Sequence, residues 1–186
     1  ISCNIFGHSM GGKVAMTLAL REPEWVRSLV SVDIAPKRYF SPKFQEFLQV
    51  MMHIDLNKLT SRKEADGLLE DALHLHPATR QFLLKNLYRT ADNRFGWRLN
   101  LPVLYDNLYD LLGGIDQDGQ YEKAALFARG SESDYIADAD REIIHKWFPR
   151  AGIVDIESAN HWVHSSAPEA LEMALRDFWR SALPDV

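Results

Sequence analysis

ISCNIFGHSMGGKVAM, residues 1–16, is the stretch whose reading decides the fold. Ile1 to Phe6 is apolar and β-favouring and stops at Gly7, as a buried strand does where it runs into a tight turn. From Gly12 to about Arg21 the residues are mostly good helix formers, with Gly12, Ala15 and Ala19 on one face, and Pro23 closes the segment. Gly7-His8-Ser9-Met10-Gly11 lies in the turn between the two. There the G-x-S-x-G spacing has a mechanical meaning. The turn is so sharp that side chains two residues either side of the serine would clash, which accounts for glycine at 7 and 11 and lifts the Ser9 Oγ above the sheet. The following helix aims free N–H groups and the positive end of its dipole at the same point, so the Met10 N–H is the natural first donor to an oxyanion.

Working outward, Trp25 to Asp33 reads as a connector and a second buried strand (Leu29, Val30, Val32), ended by Ala35 and Pro36. Between Tyr39 and Gln120 the pattern becomes amphipathic and helical: Phe44, Phe47, Leu48 and Met51; Ala65, Leu68, Leu69 and Leu73; Phe82, Leu83 and Leu87; Leu104, Leu108, Leu111 and Leu112. Pro77 opens one of these helices and Gly113-Gly114 ends the last. The segment reads as about four short helices inserted between strands, a cap over residues 39–120, with no strand among them. Ala124 to Ala128 resumes the buried-strand pattern, Asp138 to Phe148 is helical, and Ile153, Val154 and Ile156 form a last strand. A helix from Pro168 to Ala182 carries Leu171, Ala174, Leu175 and Phe178 on one face. Strands alternating with helices specify an α/β fold with a mainly parallel sheet and helices on both faces, because parallel strands need crossovers. The core is thus expected over 1–38 and 121–186, and its first strand would expose a long apolar edge unless something covers it.

Composition narrows the classes. Hydrophobic residues make up 46% of the 186 and charged residues 25%, a globular balance rather than a disordered one. The net charge of -5 lacks the electrostatic footprint of a nucleic-acid binder, and no apolar run approaches a membrane span. The one cysteine, Cys3, and the absence of Asn-x-Ser/Thr sequons favour a reducing compartment, with the cytoplasm as the default. The chain opens on Ile1, inside a strand pattern, so its natural start is expected to be missing.

A serine hydroxyl needs a base to take its proton. Of the seven histidines, His161 follows the last strand by the short Glu157-Ser158-Ala159-Asn160 turn and precedes the terminal helix, where this chain order delivers its base. His164 is its competitor. His8 reads as an elbow residue beside the serine, His74 and His76 fall in the cap, and His145 lies in a helix. A carboxylate must then fix the imidazole. In the usual arrangement it follows the next-to-last strand, in Arg129-Gly130-Ser131-Glu132-Ser133-Asp134, but Ser133 occupies the expected position and Asp134 comes one residue late. The rival is Asp33, at the end of the second strand, where a lone aspartate otherwise reads as a turn cap. Asp116-Gln117-Asp118-Gly119 lacks the remaining ligands of a calcium loop, and no metal is inferred. Phe44, Phe47, Met51 and Trp162, with His8, are candidates to line a substrate pocket, although cap packing accounts equally for the first three.

The motifs GHSMGGKVAM (7–16), VDIAP (32–36), RLNLPVLYD (98–106), RGSESDYI (129–136) and NHWVHSSAPEA (160–170) together resemble the α/β-hydrolases, and more narrowly the YbfF-like bacterial esterases and their mitochondrial abhydrolase relatives. The resemblance covers essentially the whole chain. It implies the α/β-hydrolase fold with a helical cap, Asp33 as the acid after the strand that follows the elbow, and Ser133 as an auxiliary hydroxyl. Asp134 stands where members carry proline or another residue, which leaves a backup carboxylate beside Ser133. The resemblance also implies strands before the elbow and a His-Gly loop with the second oxyanion N–H, neither of which is in this chain. Half of the sheet is therefore expected to be missing, the absent N-terminal part to be a partner, and the chain alone to be inactive or nearly so.

The function implied is a cofactor-free serine esterase acting on small-molecule carboxylic esters of short to medium acyl chain, with Ser9, His161 and Asp33 as triad and Met10 in the oxyanion hole. A cytoplasmic location follows, or a mitochondrial one in a eukaryote. Thioester or amide hydrolysis would use the same groups, and a ligand-binding or receptor protein could share the fold without turnover.

Overall fold

A computed structural model describes residues 2–182 of the chain. They fall into two compact units, one running to Arg38 and resuming at Gly114, the other spanning Tyr39–Gly113.

The first unit is built on a sheet of four strands, β1 (Cys3–His8), β2 (Val26–Val32), β5 (Ala125–Gly130) and β6 (Ala151–Ile156), in that spatial order. All three ladders are parallel, with Ile5 opposite Leu29, Val30 opposite Leu126 and Phe127 opposite Ile153. Successive side chains point to opposite faces, so the sheet has two cores. On one face Val30, Val32, Leu126, Ala128 and Ile156 pack with Leu171, Ala174, Leu175 and Phe178 of α9 (Pro168–Ala182). On the other, Phe127 meets Phe148, which follows α7 (Asp140–Trp147) and also touches Tyr121. The remaining helices of this unit are α1 (Met10–Arg21), which packs on β1 and β2 and buries Gly12, Ala15, Met16 and Ala19, and the single turn α8 (Val163–Ser166). Six of the seven residues of β2 are buried, whereas β1 pairs among the described residues with β2 alone and leaves Phe6 45% exposed.

The second unit holds α2 (Pro42–His53), α3 (Arg62–Leu73), α4 (Pro77–Leu84), β3 (Leu87–Arg89), β4 (Phe95–Trp97), α5 (Leu101–Asp106) and α6 (Leu108–Leu111). Its own core gathers Met51, Ile54, Leu69, Leu84, Leu87, Phe95 and Leu101. The Ser61 side chain caps α3 by accepting from the Glu64 N–H, and the Arg62 guanidinium donates to the carbonyls of Leu84, the last residue of α4, and of Leu87 beyond it. Two sequence expectations change here. The segment is not purely helical, because β3 and β4 form an antiparallel hairpin. Each strand has only three residues, too few to show an alternating pattern, and the turn is closed by Thr90, whose N–H donates to the Arg94 carbonyl at 2.8 Å, with Asn93 at φ 63°. The unit also ends at Gly113, so residues 114–120 group with the sheet rather than with the helices.

Candidate active site

Every side chain at issue in the sheet unit stands at or just beyond the C-terminal end of a parallel strand. Ser9 follows β1 directly and adopts φ 54° and ψ -124°, a conformation that ordinary residues rarely hold and that marks a strained, over-determined turn. A Cβ at Gly7 would come within 2.2 Å of the Gly11 carbonyl oxygen, so the turn cannot close around any larger residue there. Gly11 is different. A Cβ at that position would meet nothing within 4 Å, and the expectation that both glycines answer the same clash is corrected: the crowding falls on position 7. Met10, the first residue of α1, has an N–H without an intrahelical acceptor, next to the Ser9 hydroxyl.

Asp33 lies one residue past β2 at φ 50°, wholly buried. Three groups donate to its carboxylate. The Gly130 N–H reaches Oδ1 at 3.0 Å, the Ser133 hydroxyl donates to Oδ2, and His161 Nδ1 stands 2.8 Å from the same oxygen. A carboxylate only accepts, so Nδ1 of His161 carries the proton and Nε2 offers its lone pair. Nε2 is 3.0 Å from Ser9 Oγ, which donates to it. The structure thus joins Ser9, His161 and Asp33 in one continuous chain of hydrogen bonds and brings Ser133 onto its acid end. Asp134, the other carboxylate considered, is exposed to solvent, and His161 Nδ1 is taken by Asp33.

The loop that carries His161 is tied on both sides. The Trp162 N–H donates to Asn160 Oδ1 at 2.8 Å, an Asx turn, and the Asn160 N–H donates to Ser166 Oγ at 3.2 Å. The loop also presses on the end of β5, where a Cβ at Gly130 would fall 2.5 Å from the Ala159 oxygen. His8 Nε2 donates to the His161 carbonyl at 2.7 Å, which fixes the tautomer of His8 and binds the elbow to the base loop. Burial pushes the His8 imidazole below its ordinary range, against the pull of that hydrogen bond. His164 packs edge-on against His8 with ring centroids 4.9 Å apart, and Trp162 lies 5.8 Å from the same ring.

Of the pocket candidates, His8 and Trp162 belong to this cluster, while Phe44 and Phe47 lie half-buried on α2 of the helical unit in a T-shaped pair. Met51 is 1% exposed, enclosed in that unit's own core by the amphipathic packing of α2, so it lines no open surface there. Two contributors escaped the sequence reading: the Gly130 N–H, which a motif cannot single out, and Tyr135, whose ring stacks on His161 at 3.6 Å between centroids and 16° between planes.

The parallel sheet, its crossovers and the strand-turn-helix at Ser9 define the class: the chain belongs to the alpha/beta hydrolase fold family, whose model matches residues 2–168. It is 41% identical over 170 residues to the sn-1-specific diacylglycerol lipase ABHD11 of Danio rerio, a match taking in 89% of this chain and 53% of that protein. Esterase YbfF of Escherichia coli strain K12 is 32% identical over 172 residues, with 92% of this chain and 65% of the relative covered. A solved structure, a marine microorganism esterase, superposes with a TM-score of 0.90 at 35% identity, covering 95% of this chain and 70% of that one. The two curated relatives are of the subgroup that the sequence motifs resemble, and the chain spans about half to two thirds of their length. No helix among the described residues is long and apolar enough to cross a membrane.

Proposed function

We propose that the protein hydrolyses carboxylic esters through an acyl-enzyme on Ser9. The observation that carries this reading is the unbroken hydrogen-bond chain from Ser9 Oγ through His161 to Asp33. In the first step Ser9 Oγ bonds to the ester carbonyl carbon while its proton passes to His161 Nε2, and the carbonyl π electrons move onto oxygen. The Met10 N–H donates to that oxyanion. The tetrahedral intermediate collapses, the C–O bond to the alcohol breaks, and the imidazolium returns its proton to the departing oxygen. A water molecule then repeats the sequence against the acyl-serine, giving up one proton through His161 and releasing the carboxylic acid with Ser9 restored. Asp33 stays ionised, orients the imidazole and offsets its positive charge, and the Gly130 and Ser133 donors keep the acid fixed.

The relatives support an ester substrate, since those quoted above are named as a lipase and esterases. Short to medium acyl chains are the class proposed here. The test is labelling of the full-length protein with a fluorophosphonate, mapping of the modified peptide by mass spectrometry, and kcat across p-nitrophenyl esters of rising chain length. Label on the Ser9 peptide, absent in Ser9→Ala, with turnover highest for the shorter esters is the expected result. Hydrolysis that survives Ser9→Ala would overturn the reading.

A further inference from the structure

The imidazole of His161 is held at both nitrogens, by Asp33 at 2.8 Å and by Ser9 at 3.0 Å. Both hydrogen bonds lie close to the plane of the ring and press on neither of its faces, whereas rotation about the Cβ–Cγ bond tips the plane and swings the Nε2 lone pair off the hydroxyl. A surface against the flat of the ring opposes that motion directly. Tyr135 supplies one: its phenol lies nearly parallel to the imidazole, 3.6 Å away between centroids and 16° between planes. The other rings near His161 stand farther off and tilted, His8 at 4.9 Å and 41°, Trp162 at 6.0 Å and 64°.

We infer that Tyr135 is a positioning residue for His161, holding the plane of the imidazole and stabilising the imidazolium formed when it takes the Ser9 proton. The inference rests on the triad reading proposed above. Three observations bear on it. The face of an aromatic ring is the negative end of its quadrupole, so the stack strengthens as the imidazole gains positive charge and is weakest in the resting state. Tyr135 is itself held, because its N–H donates to Ser133 Oγ at 3.3 Å and that hydroxyl donates to Asp33; one short segment, Gly130 to Tyr135, therefore grips both the acid and the base. Burial, and then the nearby carboxylates of Asp134 and Asp33, push the Tyr135 phenol above its ordinary range, so the ring stays neutral whenever the site is active. The charged or titratable groups around the pair are Asp33 from the end of β2, His8 from β1 with His164 beyond it, and Asp134 next to Tyr135 itself.

The experiment is steady-state hydrolysis of p-nitrophenyl butyrate by the full-length protein carrying Tyr135→Phe, Tyr135→Leu or Tyr135→Met, beside Ser9→Ala and His161→Gln, with thermal midpoints measured for each. Leucine and methionine keep an apolar cover over the imidazole and remove the π face. Tyr135→Phe is expected to hold kcat within about twofold, and Tyr135→Leu to lower it about tenfold with KM nearly unchanged, as loss of one cation–π contact implies. The fluorophosphonate labelling rate falls in parallel. Tyr135→Met carries the same comparison if the leucine variant does not fold. Wild-type kcat in the leucine and methionine variants, or an equal loss in Tyr135→Phe, would overturn the inference while Ser9→Ala and His161→Gln remain inactive. If those two controls hydrolyse the ester normally, the triad reading fails and the role of Tyr135 falls with it.

Discussion

The two units use their distinctive residues in opposite ways. In the sheet unit the residues of consequence are polar, sit at strand ends, and are satisfied by one another, with Asp33 fully buried yet holding three donors. In the helical unit the residues that the sequence marks out are apolar, and those that matter most fold inward; Met51, Leu69 and Leu84 are almost inaccessible and fill their own core. Substitution should therefore cost chemistry in the first unit and stability in the second.

The sharpest break of this contrast is at the triad. Ser9→Ala should lower kcat for ester hydrolysis by about 10⁶-fold and Asp33→Asn by about 10⁴-fold, the second because an amide can hold the imidazole in the wrong tautomer. Asp134→Asn should leave kcat within about twofold, since Asp134 is exposed and His161 already binds Asp33; the reverse pattern would move the acid to position 134. Next in size, Leu69→Ala should lower folding stability by about 2–5 kcal/mol, the usual cost of a cavity at a residue with no exposed surface, read as a lower urea midpoint. Ser133→Ala should fall between the two kinds of effect. It deletes one donor to a buried carboxylate, and kcat should drop about ten- to hundredfold, as a hydrogen bond to a charged group is worth roughly 1.5–3 kcal/mol. The smallest effect concerns acid stability. The His8 imidazole is held below its ordinary value of 6.5, chiefly by burial, so the unfolded chain binds this proton more readily than the folded one. The contribution is fully present above that value and lost as the pH falls through the folded pKa; replacing His8 with Gln should flatten urea midpoints over this acidic range.

Much of the sheet unit was legible in the sequence because its signals are local. The strand-turn-helix around Ser9 is contiguous, and the helix expected from Pro168 to Ala182 is the one observed, its apolar positions recurring at helical spacing over 15 residues. Ser9 and His161 could be singled out by a motif and by chain order. The acid was less plain, because Ser133 stands where a carboxylate is usual; that displacement turned attention to Asp33, and the resemblance to a family then favoured it over Asp134. The hairpin of Leu87–Arg89 and Phe95–Trp97 stayed hidden because strands of three residues carry no period, and Leu87 fits a helical pattern as well as a sheet. Tyr135 stayed hidden for another reason. It sits inside a quoted motif, but the stacking of one ring on another across the fold leaves no trace in spacing along the chain.

The hydrogen bonds of Asp33 also bear on how the protein reaches its native state. Its donors lie 97, 100 and 128 residues away along the chain, so each contact closes a long loop. Contacts of that span carry a large entropic penalty and form slowly compared with helices. On refolding from denaturant, helical circular dichroism should recover in an early phase, and reactivity of Ser9 toward a fluorophosphonate only in the last one, after β5 has docked on β2 and β6 on β5. The site is thus a reporter of completed topology, and a chain arrested one step short would be compact, helical and chemically silent.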